Sequence, residues 1–178
     1  MTFEAFYSKY FDVAWRALSA LGVAERDLSD VTQEVFVQVH KKFSAFDGGD
    51  GGATWLRAFC VNASRNWRRL GRNRHETHDD ERASLVVDLT TKDPERVAAE
   101  NEGTRLLTQA LDVLPPEQRE VFVLFELEQV SSPEIARLLG IPLGTCYSRL
   151  RLARVAFRAA IENLTHEQPD TRTAQAAR

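Results

Sequence analysis

The chain predicts an all-α protein in which two small helical domains are joined by a flexible acidic linker, the second domain containing a helix-turn-helix. Three observations carry this expectation. Apolar residues recur at helical spacing through most of the 178 residues. Strand signals are almost absent, and no internal repeat is visible. Charge is segregated along the chain: residues 51–75 hold six arginines and no acid, 76–104 hold nine acids against three bases, and 144–161 hold four arginines and no acid. The net charge of −3 therefore conceals two basic helices separated by an acidic connector, an arrangement that places positive potential at two points along a duplex.

The first helix is expected from about Phe3 to Leu21, with Phe3, Phe6, Tyr7, Tyr10, Ala14, Leu18 and Leu21 as its core face and Gly22 ending it. A second runs from about Asp27 to Phe43. Leu28, Val31, Val35, Val39 and Phe43 face inward, and Val37 among polar neighbours marks a partner surface. Residues 46–54 carry four glycines within five positions, whose ordering costs too much backbone entropy for helix or strand, so they predict a mobile loop. The third helix, roughly Thr54 to Gly71, buries Leu56, Phe59, Cys60, Ala63, Trp67 and Leu70 and projects Asn62, Arg65, Asn66, Arg69 and Arg72. Such a donor-rich stripe suits phosphate oxygens and base edges. Trp55 has two uses open to it, core packing and stacking on an unpaired base.

Residues 1–75 thus form one domain, 76–94 a linker, 95–164 a second domain and 165–178 a disordered tail. The second domain opens with a helix from about Glu95 to Leu114, broken by Pro115 and Pro116, and a helix from Glu117 to Leu127. Residues 131–158 follow as helix, tight turn and helix, with Ser132 as N-cap, Pro133 at the first position, Glu134 complementing the dipole and Gly140 closing the first helix. Leu150, Ala153 and Phe157 form the core stripe of the second helix. A helix-turn-helix inserts the start of its second helix into the major groove, which makes Thr145, Tyr147, Ser148 and Arg149 groove-facing and leaves Arg151 and Arg154 for phosphates.

No stretch of about 18 apolar residues exists and the N-terminus lacks the apolar centre of a signal peptide, so no membrane insertion and a cytoplasmic location are expected. Cys60 and Cys146 read as buried free thiols. His75 and His78 beside Asp79 and Asp80 are the nearest approach to a metal set. They fall in the linker with nothing to orient ligands, so neither a cofactor nor a catalytic residue is expected.

Three motifs in order extend the reading. The segment Asp30-Val-Thr-Gln33-Glu34-Val-Phe36 comes first, then Thr54-Trp55-Leu56 with Val61-Asn62-Ala63 and its trailing arginines, and then Leu114-Pro115-Pro116-Glu117 with Glu134-Ile135-Ala136 and the helix-turn-helix. Together they resemble the extracytoplasmic-function (ECF) group of bacterial sigma factors over about residues 3–160. The resemblance implies a non-catalytic sigma factor that joins core RNA polymerase, through the clamp helices of one large subunit and the flap of the other, and specifies promoter DNA. It implies polymerase contacts at Asp30, Gln33, Glu34 and Phe36, and minus-ten contacts at Trp55, Asn62, Arg65, Asn66 and Arg69, with the preceding loop taking a flipped base. Minus-thirty-five contacts fall to Thr145, Tyr147, Ser148, Arg149, Arg151 and Arg154, and an anti-sigma factor is the implied regulator. Cys146, Tyr147 and Leu152 depart from the family pattern, so promoter sequence does not transfer. The competing reading is a two-domain helix-turn-helix regulator that never joins polymerase. On the sigma-factor reading the acidic linker, with Asp79, Asp80, Glu81 and Asp88, is expected to lie in the polymerase's nucleic-acid channel as a mimic of phosphate charge.

Overall fold

A computed structural model describes residues 1–46, 48, 49, 51–72 and 94–166. The linker calculated from sequence at 76–94, except Pro94, the histidines at 75 and 78, and the tail beyond His166 lie outside the described residues. Among the described residues seven α-helices follow one another: α1 (Phe3–Ala20), α2 (Glu25–Lys42), α3 (Gly52–Arg72), α4 (Pro94–Asp112), α5 (Pro116–Phe122), α6 (Ser132–Leu139) and α7 (Leu143–His166). A 3₁₀ turn at Phe43–Ala45 extends α2, and α5 runs on into a π-helical turn at Val123–Leu127. No helix among the described residues is long and apolar enough to cross a membrane.

Helices α1, α2 and α3 pack on one another, while α4, α5 and α6 pack against α7 directly. The first module buries Phe6, Ala14, Leu18, Leu28, Val35, Val39, Leu56 and Cys60. Each has moved out of water at about 25 cal/mol per Å² of apolar surface. Around this centre Phe3, Phe6, Phe43, Phe46, Trp55 and Phe59 meet largely edge to face, with centroids from 4.9 to 5.9 Å apart. Helix α2 has Glu25 and Asp27 in its first turn and His40, Lys41 and Lys42 in its last, which matches its dipole at both ends.

Three expectations change. Tyr7 remains 39% exposed, and so does 44% of Leu70. Both sit on the margins of their apolar stripes. Glycine-rich residues 46–54 do not stay a loop throughout, since α3 starts at Gly52. A Cβ at Gly52 would lie 2.9 Å from Tyr10 Oη, so the absent side chain lets the helix start close on Tyr10. Helix α7 also runs past residue 164, carrying Thr165 and His166 out of the expected tail.

The modules dock. One apolar cluster includes Leu21 and Val23 of the first and Leu111, Leu114 and Val121 of the second. Polar contacts frame it. The buried Arg119 guanidinium donates from Nε to the Ala20 carbonyl at 2.6 Å and from Nη1 to Asp112 Oδ1 at 2.8 Å. Arg68 Nη1 donates to the Leu21 carbonyl at 3.1 Å. These cations satisfy carbonyls left over at the C-terminus of α1.

Candidate polymerase and promoter interfaces

The outward side of α2 holds Asp30, Gln33 and Glu34, all exposed, followed by Val37 with 51% of its surface open. Phe36 is different. Only 3% of it is exposed, and its ring packs on Tyr7 at 4.7 Å and Phe11 at 6.1 Å. The structure therefore corrects its placement on the polymerase-facing surface: Phe36 supports α2 from beneath, because α1 covers that side of the helix.

Between α2 and α3 lies a cleft of about 470 Å³, walled by Glu34 and Gln38 on one side and by Trp55, Phe59, Asn62 and Asn66 on the other. Trp55 is half-buried. Its indole stacks on Phe46 at 5.1 Å and meets Phe59 at 4.9 Å, so it packs in the core while one edge reaches the cleft. Asn62 is exposed, and Asn66 Oδ1 accepts from Arg69 Nη2 at 2.9 Å, which ties two members of the stripe together.

Arg65 does not point freely into solvent. Its Nη2 donates to Glu120 Oε2 at 2.6 Å, and the neighbouring Arg68 Nη2 donates to Glu120 Oε1 at 2.6 Å. Glu120 is 2% exposed. Its hydrogen bonds raise the Arg65 pKa further, outweighing the opposing effect of burial. Eight residues earlier on α3, Arg57 donates from Nε to Glu128 Oε2 at 2.7 Å. Trp67 Nε1 donates to Asp27 Oδ2 at 2.9 Å and closes the far end of the first module.

In the helix-turn-helix, the N-cap is Ser131 and not Ser132, which is buried as the first residue of α6. The Ser131 amide and hydroxyl both donate to Glu134 Oε2, at 3.3 and 2.6 Å. These bonds hold the Glu134 carboxyl below its ordinary pKa. Gly140 adopts φ +66°, and Ile141 N–H donates to the Ala136 carbonyl at 3.0 Å, closing α6 sharply enough for α7 to start at Leu143. Cys146, Leu150 and Ala153 then face inward. Burial pushes the Cys146 thiol up, more strongly than Ser132 and Arg149 pull it down.

This inward stripe sets what α7 presents outward. Tyr147, Ser148 and Arg151 are exposed, with Thr145 and Arg149 half-buried beside them. Ser148 Oγ donates to the Thr145 carbonyl at 3.0 Å, so its hydroxyl is turned onto the first turn of the helix. Arg154 lies 5.1 Å over the Phe125 ring and donates to Glu126 Oε1 at 2.6 Å. Sequence reasoning missed Glu120, Glu126 and Glu128, together with Arg57 and Arg68. A signal for Glu120 existed: it precedes the buried Leu124 by four and so falls on the inner face of α5. Among the described residues no group of three His, Cys, Asp or Glu side chains is placed to hold a metal ion.

Comparison with known proteins fits this geometry. The family description "Sigma-70, region 4" matches residues 104–157, which contain the helix-turn-helix. The chain is 29% identical over 148 residues to the ECF RNA polymerase sigma-E factor of Haemophilus influenzae, covering 80% of this chain and 78% of that protein. It is 30% identical over 149 residues to the RNA polymerase sigma-H factor of Pseudomonas aeruginosa, covering 80% and 77%. The fold is shared with the sigma factor RpoE of Bartonella quintana, solved with the anti-sigma factor NepR, at a TM-score of 0.68 and 20% identity over 89% of this chain and 98% of that one. It is also shared with CnrH, solved with the cytosolic domain of CnrY, at a TM-score of 0.65 and 22% identity over 90% and 88%. A region-4 match across the helix-turn-helix and 30% identity along more than three quarters of a sigma factor place this chain in the ECF group of the sigma-70 family.

Proposed function

We propose that the exposed side of α2, through Asp30, Gln33 and Glu34, seats this sigma factor on the clamp helices of core RNA polymerase, and that α3 and α7 read the two promoter elements. The carrying observation is that each module presents one arginine-bearing helix whose outward polar side chains are mainly donors, as phosphate oxygens and base edges require. Asn62, Asn66 and Arg69 take the minus-ten strand. The cleft beside Trp55 offers an aromatic wall and two amides to an unpaired base, worth about 1 to 3 kcal/mol per stacked base. Thr145, Tyr147, Ser148 and Arg149 enter the major groove at minus thirty-five, with Arg151 and Arg154 on the flanking backbone. The flap of the other large subunit takes the second module. The polymerase performs the chemistry, and no residue of this chain is assigned a catalytic role.

An anti-sigma factor is the proposed regulatory partner, the class of molecule with which the similarly folded RpoE was solved. Run-off transcription with core polymerase on a genomic promoter library tests the whole reading. The wild-type chain should confer discrete start sites, and Gln33→Ala/Glu34→Ala should abolish them while helicity by circular dichroism is unchanged. Start-site selection by that variant at the wild-type level would refute the α2 assignment.

A further inference from the structure

Four arginines of the two basic helices are held by three glutamates of one nine-residue segment, 120–128. Glu120 takes Arg65 and Arg68, Glu128 takes Arg57, and Glu126 takes Arg154. The pattern across the module boundary is regular: Arg57 pairs with Glu128 and Arg65 with Glu120, so both partners advance by eight residues in opposite directions. Eight residues of helix rise about 12 Å, and two antiparallel helices therefore meet at both ends of the same stretch.

We propose that residues 120–128 are an internal stand-in for the phosphate backbone. They keep the free chain closed, with Arg57, Arg65 and Arg68 of α3 sequestered, and parting of the modules is what makes those three cations available to DNA. The inference rests on the DNA-facing reading of α3 and α7. Its physical basis is competition for the same donors. A carboxylate takes a guanidinium in the geometry a phosphate would use, and Glu120 does so while almost wholly shielded from water. A duplex offered to the closed chain meets an α3 whose Arg57, Arg65 and Arg68 are already engaged. The Arg154–Glu126 pair is more open, with side chains 48% and 32% exposed, so DNA can displace it without parting the modules. The device thus has an exposed pair within the second module and a shielded set across the boundary.

The shielded set also has a mechanical consequence. Arg119 of the second module reaches the Ala20 carbonyl at the end of α1, so separation of the modules breaks that bond together with the pairs on α3, while the Arg68 bond to the Leu21 carbonyl stays within the first module.

The test uses the full chain without polymerase. Glu120→Gln/Glu128→Gln is compared with Glu25→Gln/Glu162→Gln, which removes the same charge from exposed positions on α2 and α7. Affinity for a short fluorescein-labelled duplex of mixed sequence is followed across a salt series, and small-angle scattering gives the radius of gyration. Freeing three arginines should make the slope of log K against log salt steeper by about 2 to 3, with at least about a tenfold gain at low salt, and the radius should rise. Equal slopes in the two variants would overturn the proposal, as would an unchanged radius. If the first variant unfolds by circular dichroism, Arg57→Gln replaces it: expansion of the chain supports the latch, and an unchanged radius overturns it. Run-off transcription by the wild-type chain stands apart from these measurements, so loss of the promoter reading is distinguishable from loss of the latch.

Discussion

Replacing Gly52 by alanine tests how the start of α3 is set against α1. A Cβ there would lie 2.9 Å from Tyr10 Oη, 3.2 Å from Tyr10 Cε2 and 3.2 Å from Phe46 Cζ. Tyr10 is 7% exposed and packs on Phe6 at 4.6 Å, so its ring has little room to move aside. Overpacking of this kind costs about 1–3 kcal/mol, whereas alanine in place of glycine within a helix returns about 0.5–1 kcal/mol. The expected net loss is about 1–2 kcal/mol, which lowers the melting temperature by about 2–4 °C per kcal/mol for a chain of this size. Urea unfolding followed by circular dichroism measures it. In a Tyr10→Phe background the closest contact disappears, and the cost of Gly52→Ala should fall by at least half, giving a clear coupling in a double-mutant cycle. A neutral or stabilising Gly52→Ala, or the same cost in both backgrounds, would refute the argument that Tyr10 is what requires a glycine.

Further outcomes follow from the buried thiols and the helix-turn-helix. Burial pushes the Cys60 thiol from 9.0 up to about 12, so the folded chain should resist iodoacetamide at pH 8 at this position and react once unfolded, as mass spectrometry of the alkylated peptides will show. Because the folded value is raised, the stability tied to Cys60 is fully present below pH 9 and declines as pH climbs toward about 12, a loss that Cys60→Ala should remove from the pH profile of the urea midpoint. Ser131→Ala should cost about 1 kcal/mol as a lost N-cap and let the Glu134 carboxyl rise toward its ordinary pKa, visible by NMR titration. Since that carboxyl is depressed in the folded chain, its contribution is present above its ordinary value and fades as pH falls through the lowered one. Gly140→Ala, at φ +66° with open space around it, should cost about 1 kcal/mol from backbone strain alone, measured by the same urea titration.

The helices were legible because each carries a long apolar stripe with recognisable ends, and the turn of the helix-turn-helix because Gly140 and Pro142 punctuate it. Details failed where neighbouring residues compete for one role. Ser131 and Ser132 are both good caps, and the three-residue step to Glu134 selects Ser131. Placing Phe36 at a polymerase contact follows from its membership of a motif, while its spacing, four after Thr32 and three before Val39, already puts it on the inner face. Docking of the modules was not legible at all. Arg57 and Glu128 are 71 residues apart, and Arg65 and Glu120 are 55 apart. No local pattern records such pairings, and segregated charge shows only that partners of opposite sign exist.

The π-helical turn at Val123–Leu127 gives those pairings their phase. Along an uninterrupted α-helix, position 128 would sit about 80° around the axis from position 120, because each residue advances the screw by about 100°. The wide turn, in which the Glu128 amide reaches back to the Val123 carbonyl at 3.0 Å, inserts one extra residue and unwinds about 100°, which leaves the two positions within about 20° of each other. Both carboxylates thereby come to address the same neighbouring helix. Tightening the bulge into regular α-helical bonding, with every residue kept, would rotate one of them about 80° out of line without altering any charge.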